Sequence, residues 1–471
     1  MFRLISLAAL AAGLAAPAAA DTLQAAIAAA YDTNPDIAAQ RDVVRQADEG
    51  VPQALSFGRP IASATVNAQQ NAVEFGDNGR VASASLSVNQ SIYRGGRTGT
   101  AKSAAEARIL AARARLRATE NTIVLNTVTA YADVLRYTAL VELNANLVKV
   151  LERELQASKD RFEVGDLTRT DVAQSDARLA NARANAIAAQ GQLGFARQAF
   201  ARVVGRAPEE LAPLPPLPVL PGTTGQAVDL ANANNPSLVA ARFDEAAARY
   251  DVSTIERENL PSVGFGPSIS YQRFEGGGGS SSFVRQGAFF NQGVGIQATV
   301  PLYQAGAVGS RVRQAQARRG QLMEVIGSTG RQVAEQAANA ITQVVTARAI
   351  IRSTQVAVDA NSLALEGVTQ ENQVGTRTVL ELLNAQQELL TTRTNLVTAK
   401  RDEYVGAYTL LAAVGAAEAV ALGLPVEAYD PEVNARRVRH KWNDFDKDLE
   451  PAALQLPDRE RATRSVTIGP R

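Results

Sequence analysis

Residues 82–92, Ala-Ser-Ala-Ser-Leu-Ser-Val-Asn-Gln-Ser-Ile, alternate apolar and polar side chains almost throughout. A period of two with one apolar face indicates a β-strand. Three further runs, 61–70, 262–272 and 294–302, alternate in the same way. Each run has about the ~9–11 residues with which a strand crosses a bilayer, and an apolar face suits lipid while an uncharged polar face suits a wet lumen. A soluble sheet packed on a core by one face would show the same alternation, so both interpretations stay open here.

Four strands are too few for a membrane structure made by one chain. A barrel needs about 8 strands to close, and open strand edges are not tolerated in hydrocarbon. Beyond the N-terminus the sequence has no run of about 18 apolar residues, so a membrane segment would have to consist of strands. The membrane interpretation therefore requires other copies of the chain. Two copies would give a filled barrel, and a conducting pore needs more.

The N-terminus resembles an export signal. Arg3 is the one charged residue among the first 20, an apolar run extends from Leu4 to Leu14, and Ala18-Ala19-Ala20 precedes Asp21. A basic start, a short apolar run and an Ala-x-Ala site are typical of a secretory signal peptide. We therefore predict cleavage before Asp21.

The composition argues against several classes of function. The chain has 48 basic and 47 acidic residues, which gives no case for a nucleic-acid partner. One histidine and no cysteine argue against a nucleophilic triad or a zinc site. No Gly-Lys-Ser/Thr phosphate motif occurs, so energy for transport would come from a partner. We predict no catalytic residue, no metal and no cofactor.

The chain contains one unit written twice. Matching positions recur at an offset of 201 and then of 210 residues; they include Asn34-Pro35 with Asn235-Pro236, Tyr93 with Tyr303, and Val164-Gly165 with Val374-Gly375. The predicted segments are a signal peptide (1–20), a first repeat (21–205), a proline-rich linker (206–226), a second repeat (227–424) and a polar tail (425–471). Each repeat is predicted to hold a short helix, a β-hairpin and a helical hairpin, the β-hairpins at 61–92 and 262–302 and the helical hairpins at 97–205 and 307–415.

Long helices with heptad spacing follow the strands. Neither 97–161 nor 307–373 contains proline, and about 65 residues of helix reach roughly 100 Å. The first seam is Ile123, Thr127, Ala130, Val134, Tyr137, Val141, Asn144 and Val148, and the second is Val333, Ala337, Ala340, Val344, Ala347, Ile351, Thr354 and Val358. Leu179, Ala182, Ala186, Ala189, Leu193 and Ala196 form a seam on the returning helix. Steps of four and three indicate coiled-coil packing, either in a solid rod or in a wall around a hollow centre.

Several motifs carry a resemblance to a known family. They are Tyr93-Arg94-Gly95-Gly96-Arg97, Pro301-Leu302-Tyr303, the first helix turn from Val164 to Val172, and, most specifically, Val374-Gly375-Thr376-Arg377-Thr378-Val379-Leu380-Glu381-Leu382-Leu383-Asn384-Ala385. Together with the Asn-Pro pairs, these resemble the TolC family of outer-membrane efflux channels from the predicted start of the mature chain to about residue 424.

The resemblance implies a mostly α-helical chain with a membrane β-barrel. Three chains would share a 12-stranded barrel in the lipid of the outer membrane, above a tunnel of antiparallel coiled-coil hairpins that crosses the periplasm. The implied partners are a periplasmic adaptor (membrane fusion protein) and an inner-membrane pump or ABC exporter, which dock at the tapered end. The implied function is a passive export duct, gated at the helix tips, for a tripartite efflux pump or a type I secretion system.

The resemblance also implies roles for residues at the tips. Glu381 and Asn384 would line the pore constriction, Thr170, Asp171 and Arg377 would make the gate contacts, and Gly165 and Gly375 would form the tip turns. A carboxylate ring would persist at Glu381, whereas Asn384 removes the charge from a second ring. Asn372 stands where the family has an aromatic residue of the gate. Three like charges around a narrow axis would favour cations and raise one another's pKa values.

The tip residues also fit a purely structural role. Thr378 with Glu381, and Thr168 with Asp171, have the spacing of helix capping boxes. Capping and pore lining are compatible, because a capping carboxylate can still face a lumen.

Two other classes of function compete with a channel. A structural coiled-coil protein, such as a periplasmic adaptor or an adhesin, would use the heptads but leave the duplicated hairpins unexplained. A periplasmic enzyme lacks any convergent acid, base or metal group. The polar tail carries Arg436, Arg437, Arg439 and His440 near Trp442. These could bind an acidic partner, but we expect a solvated extension.

Overall fold

A computed structural model describes residues 21–71, 79–275 and 287–448. The predicted signal peptide, the Gly/Ser-rich loop at 276–282 and the end of the tail lie outside the described residues.

The described elements follow the duplication. The first repeat contains helices α1 (Leu23–Thr33), α2 (Pro35–Asp48) and α3 (Gly50–Ser56), strands β1 (Pro60–Asn71) and β2 (Gly79–Arg94), and helices α4 (Arg97–Glu163) and α5 (Arg169–Val204). The second contains helices α6 (Thr224–Asn234) and α7 (Pro236–Glu256), strands β3 (Ser262–Glu275) and β4 (Gly287–Thr299), and helices α8 (Ala307–Gln373) and α9 (Val379–Ala413); helix α10 (Glu432–Val438) follows. Helices α4 and α8 are both 67 residues long, which confirms the long helices expected from the proline-free stretches.

The four strands form one antiparallel sheet in chain order. Leu86 of β2 pairs with Ala64 on one side and Ile269 on the other, so the apolar residues share a face. Ser87 pairs with Ser63 and Ser268 on the opposite face. Period-two alternation therefore predicted the faces correctly.

The apolar face of the sheet is exposed in the single chain. Val66, Val294 and Ile296 are 81%, 70% and 74% exposed. A soluble sheet would bury such residues on a core, and no described part of this chain provides one. Strands β1 and β4 lie at the two edges, which leaves their outer hydrogen-bonding groups available.

Strand β4 differs from its prediction. The run was expected at 294–302, but the strand spans Gly287–Thr299. Thr299 pairs with Ser262, the first residue of β3, so no partner exists for residues beyond it. Pro301 also lacks an N–H and disfavours continuation of the ladder. Upstream, residues from Gly287 pair with β3, although glycines interrupt the alternation there.

The heptad seams pack the hairpins. Val333, Ala337, Ala340, Val344 and Ala347 are buried, as are Ile123, Thr127, Ala130 and Val134 at the corresponding depth of α4. Nearer the tips the seam residues become half-buried. Within the described ranges, no helix is apolar over a length sufficient to cross a bilayer.

The C-terminal segment corrects a prediction. The tail is docked on the fold as far as Val438 rather than being a solvated extension, because Val438 is fully buried and Asn434 donates to Asp48 at 2.8 Å; residues 442–448 are exposed. The arginine cluster is used internally: Arg436 pairs with Asp430, Arg437 with Asp448, and Arg439 with Glu106. Asp430 and Asp448 belong to the tail itself, whereas Asp48 and Glu106 belong to α2 and α4 and could not be assigned to it from the charge pattern.

Candidate functional site

The two helical hairpins end in turns of the same geometry. Gly165 and Gly375 adopt left-handed backbone angles, with φ of 85° and 82°. Glycine is favoured there because a side chain would be strained in this region. The amide of Asp166 donates to the carbonyl of Arg161 at 2.9 Å, and the amide of Thr376 donates to that of Glu371 at 2.9 Å. The predicted turn glycines therefore lie in turns that reverse the chain between paired helices.

Both predicted capping boxes are confirmed. The Thr378 amide donates to Glu381 Oε2 at 2.9 Å, and the Glu381 amide donates to Thr378 Oγ1 at 3.3 Å. In the first repeat, the Thr168 amide donates to Asp171 Oδ2 at 3.0 Å and the Asp171 amide to Thr168 Oγ1 at 3.3 Å. Each carboxylate satisfies amides that the helix start would leave without partners.

Arg377 connects the two helices of the second tip. Its Nε donates to Glu371 Oε2 at 2.7 Å, at the end of α8, and its NH1 donates to Glu381 Oε1 at 2.8 Å, at the start of α9. The backbone hydrogen bond from Thr378, followed by the bond from Arg377, lowers the pKa of Glu381 to about 2. These donors within one chain lower the pKa of Glu381, whereas the like charges of a trimer would raise it. Glu381 therefore remains ionised until the pH falls to about 2.

Asn372 holds the same turn from inside. It is 7% exposed, and its Nδ2 donates to the carbonyl of Arg377 at 2.8 Å. The corresponding residue of the first tip, Phe162, is 44% exposed. The amide at position 372 thus orients the backbone of Arg377, a role that a phenylalanine such as Phe162 could not fill because it has no donor.

The residues predicted to form gate contacts do not meet within one chain. Arg377 makes its two ion pairs inside its own tip, and no salt bridge joins it to Asp171 among the described residues. Hydrogen bonds from Thr168 lower the pKa of Asp171. Thr170 is exposed beside it. A contact of Arg377 with Thr170 or Asp171 must therefore come from another copy of the chain or from a different state.

An apolar contact joins the hairpins behind the tips. Val379 and Leu383 of α9 are buried against Leu155 of α4 and Leu179 of α5. Asn384 follows Leu383 on α9, and Arg178 precedes Leu179 on α5. Arg178 NH2 donates to Asn384 Oδ1 at 2.9 Å. Arg178 was not among the residues predicted from the sequence. Its signal there is the spacing of seven residues from Asp171, which places both on one helix face.

Comparison with known proteins decides the family. The family model described as outer membrane efflux protein matches residues 26–206 and 227–416. The chain belongs to the outer membrane efflux protein family. It is 31% identical to the outer membrane efflux protein BepC of Brucella suis over 90% of this chain and 92% of the relative. It is 29% identical to the alkaline protease secretion protein AprF of Pseudomonas aeruginosa, over 63% of this chain and 62% of the relative.

The fold agrees with this membership. The crystal structure of the outer membrane protein VceC from Vibrio cholerae has a TM-score of 0.71 and 22% identity, and the match covers 83% of this chain and 96% of that one. This outer membrane efflux protein is therefore a channel protein of the outer membrane that extends into the periplasm. Membership decides against the adaptor, adhesin and enzyme hypotheses.

The two tips of this efflux protein are chemically different. The second carries Glu371, Arg377 and Glu381 in one connected group. In the first, the positions of Glu371 and Arg377 are occupied by Arg161 and Leu167, so that bridge has no counterpart. The backbone of the turn is thus alike in both repeats, whereas the linked group of charged side chains is present in the second tip and absent from the first.

Proposed function

We propose that this efflux protein forms a trimeric export duct with a shared 12-stranded barrel and a helical tunnel. The observation that carries the proposal is the sheet, which exposes an apolar face and leaves β1 and β4 at open edges. In hydrocarbon both edges need partners, and β1 of one copy can pair with β4 of the next. Three copies would place twelve strands around a lumen lined by serine, threonine and asparagine side chains.

The helices support a wall around a hollow centre. Ile187 and Phe195 of α5 are 69% and 72% exposed, and Val356 and Leu363 of α8 are 69% and 71% exposed. Exposed apolar residues on long helices indicate surfaces for further helices. We infer that α5 and α8 of neighbouring copies cover these residues, which closes the tunnel.

We further propose that the second tip forms the constriction and the gate. Glu381 and Asn384 lie three residues apart and so share a helix face. In a trimer they would form two rings, with Glu381 nearer the tip. Arg377 would hold the resting state by fixing the carboxylates of Glu371 and Glu381, and Thr170 and Asp171 would face the neighbouring chain.

The duct requires partners that supply energy. We propose a periplasmic adaptor and an inner-membrane pump or ABC exporter, docked at the helix tips. The relatives support two kinds of cargo, because BepC is an efflux protein and AprF an alkaline protease secretion protein. Identification of the inner-membrane protein that copurifies with the tagged chain would discriminate a tripartite pump from a type I secretion system.

Reconstitution tests the duct and its constriction together. We expect the protein from outer-membrane fractions to crosslink as a trimer and to form channels in planar bilayers that prefer K⁺ to Cl⁻. Glu381→Gln should lower this preference by roughly threefold, because it removes the charge and keeps the capping acceptor. Glu381→Ala should lower it as much and also weaken the helix start.

The two variants separate charge from capping. Unchanged selectivity in Glu381→Gln would place the constriction elsewhere. Recovery of the wild-type protein as a soluble periplasmic monomer would overturn the duct itself.

Arg377 is expected to restrain the closed tip. In Arg377→Ala, Glu371 and Glu381 lose their shared partner and repel each other, so the turn should open and single-channel conductance should rise roughly twofold or more. Arg393→Ala is the control, because Arg393 is an exposed arginine of α9 that lies far from the tip. Equal conductance of the two variants would show that the restraint lies elsewhere.

A further inference from the structure

We propose that Arg178 is a charge-selectivity residue of this duct and binds permeants that carry carboxylate or phosphate groups. The inference rests on the proposed constriction at Glu381 and Asn384. Its basis in the structure is the hydrogen bond of 2.9 Å from Arg178 NH2 to Asn384 Oδ1, which joins the two hairpins. Asn384 thus lies beside a cation contributed by the other repeat. The three Asn384 residues of a trimer would therefore not form the neutral ring that the sequence predicted.

The contact places the guanidinium on a defined side of the helices. Leu179 and Leu383, the neighbours of the two residues in sequence, are 3% and 2% exposed in the apolar contact between hairpins. Arg178 and Asn384 lie at the flank of that contact, where Asn384 is exposed and Arg178 is partly exposed. The hydrogen bond holds the guanidinium of Arg178 on the flank occupied by Asn384, so both side chains lie on the same surface.

The charge of Arg178 is not neutralised by any carboxylate in the described part of the chain. No carboxylate of the described residues forms a salt bridge with it, and its side chain donates to the neutral amide of Asn384. Arg377 is the opposite case, since it lies between Glu371 and Glu381. Arg183, five residues beyond Arg178, is paired with Glu152 at 2.8 Å. Among the described residues, Arg178 is therefore a cation without a carboxylate partner next to the predicted constriction.

The order of charges determines how an ion would meet them. Asn384 lies three residues beyond Glu381, about 4.5 Å further from the tip along the helix axis. In a trimer, a permeant entering at the tip would pass a ring of carboxylates and then a ring of guanidinium groups. A guanidinium offers two parallel donors that match carboxylate and phosphate oxygens. A narrow site with low-dielectric walls strengthens this attraction.

The test uses the full-length trimer in planar bilayers, with citrate added as a multiply charged anion. We expect citrate to reduce the wild-type Cl⁻ current, and Arg178→Gln to weaken this block by roughly threefold or more and to raise the K⁺ to Cl⁻ permeability ratio. Arg183→Gln is the matched control, because it removes the same charge from the same helix where Glu152 neutralises it. It should leave both values unchanged.

Two further variants keep the outcome decisive. Arg178→Lys should retain the permeability ratio but weaken the citrate block, because it keeps the charge and loses the two parallel donors of the guanidinium. If Arg178→Gln does not assemble, Asn384→Asp tests the same group by pairing it with a carboxylate, and an undiminished citrate block would then overturn the inference. Equal behaviour of Arg178→Gln and Arg183→Gln would also overturn it. A channel in which Glu381→Gln has no effect would instead refute the proposed constriction.

Discussion

Replacing Gly415 by alanine is expected to destabilise the protein by about 3–5 kcal/mol. Gly415 follows α9 with a left-handed φ of 75°, which costs an L-residue roughly 1–2 kcal/mol. A Cβ there would also lie 2.5 Å from the carbonyl oxygen of Asn234 and 3.0 Å from its carbon. Both are backbone atoms of the last residue of α6, so the clash cannot be relieved by rotating a side chain.

The duplication supplies a matched control for this variant. Gly205 occupies the same position after α5, with φ of 85°, but its Cβ would meet only the side chain of Thr33, at 3.1 Å. Gly423 has φ of 68° and no described atom within 4 Å of a Cβ. Alanine at either control site should cost about 1–2 kcal/mol, which is the backbone strain alone. Urea unfolding followed by far-UV circular dichroism measures the three variants. A cost at Gly415 no larger than that at Gly423 would contradict the clash.

Replacing Asn235 by alanine is expected to cost about 2–4 kcal/mol. Asn235 is 6% exposed and makes hydrogen bonds in two directions. Its Oδ1 accepts from the amide of Ser237 at 2.9 Å, which caps α7, and its Nδ2 donates to the carbonyl of Ala413 at 2.9 Å, at the end of α9. The variant therefore loses a helix cap, worth about 1 kcal/mol, and leaves a buried carbonyl without its donor, at about 1–3 kcal/mol.

Two comparisons separate these contributions. Thr223 caps α6 through one bond, from Gln226 at 3.3 Å, so Thr223→Ala should lose only the capping energy of about 1 kcal/mol. Asn34→Ala should behave like Asn235→Ala, because Asn34 caps α2 and donates to the carbonyl of Val203 at 3.0 Å. The same unfolding measurement applies. If Asn235→Ala cost no more than Thr223→Ala, the link to α9 would contribute nothing to stability.

These asparagines show why the duplicated Asn-Pro pairs were visible in the sequence but their role was not. Proline at the first helical position and asparagine before it are local signals of a helix start. The second partners, Val203 and Ala413, lie 169 and 178 residues away. The repeat could therefore be recognised from matching residues, whereas the link between the start of one helix and the end of another required the folded chain.

The candidate site divides in the same way. The capping boxes of Thr168 and Thr378 involve residues three apart, so spacing alone predicted them correctly. The bond from Arg178 to Asn384 joins residues 206 apart on different hairpins. From the sequence, Asn384 was predicted to remove the charge from a second ring. The arginine that lies beside it, Arg178, could not be detected because it belongs to the other hairpin. The roles of Glu381, Asn384, Thr170, Asp171 and Arg377 in a pore remain predictions for the assembled trimer.

The sequence by itself determined the parts of this protein that repeat with a short period. Alternation of two residues specified the faces of the strands, and steps of four and three specified the helix seams, because each pattern reflects the geometry of one element. Only the tertiary structure decided the end of β4 at Thr299, the docking of the tail as far as Val438 and the position of Arg178. Each depends on which distant element lies opposite, and a local period carries no information about that neighbour.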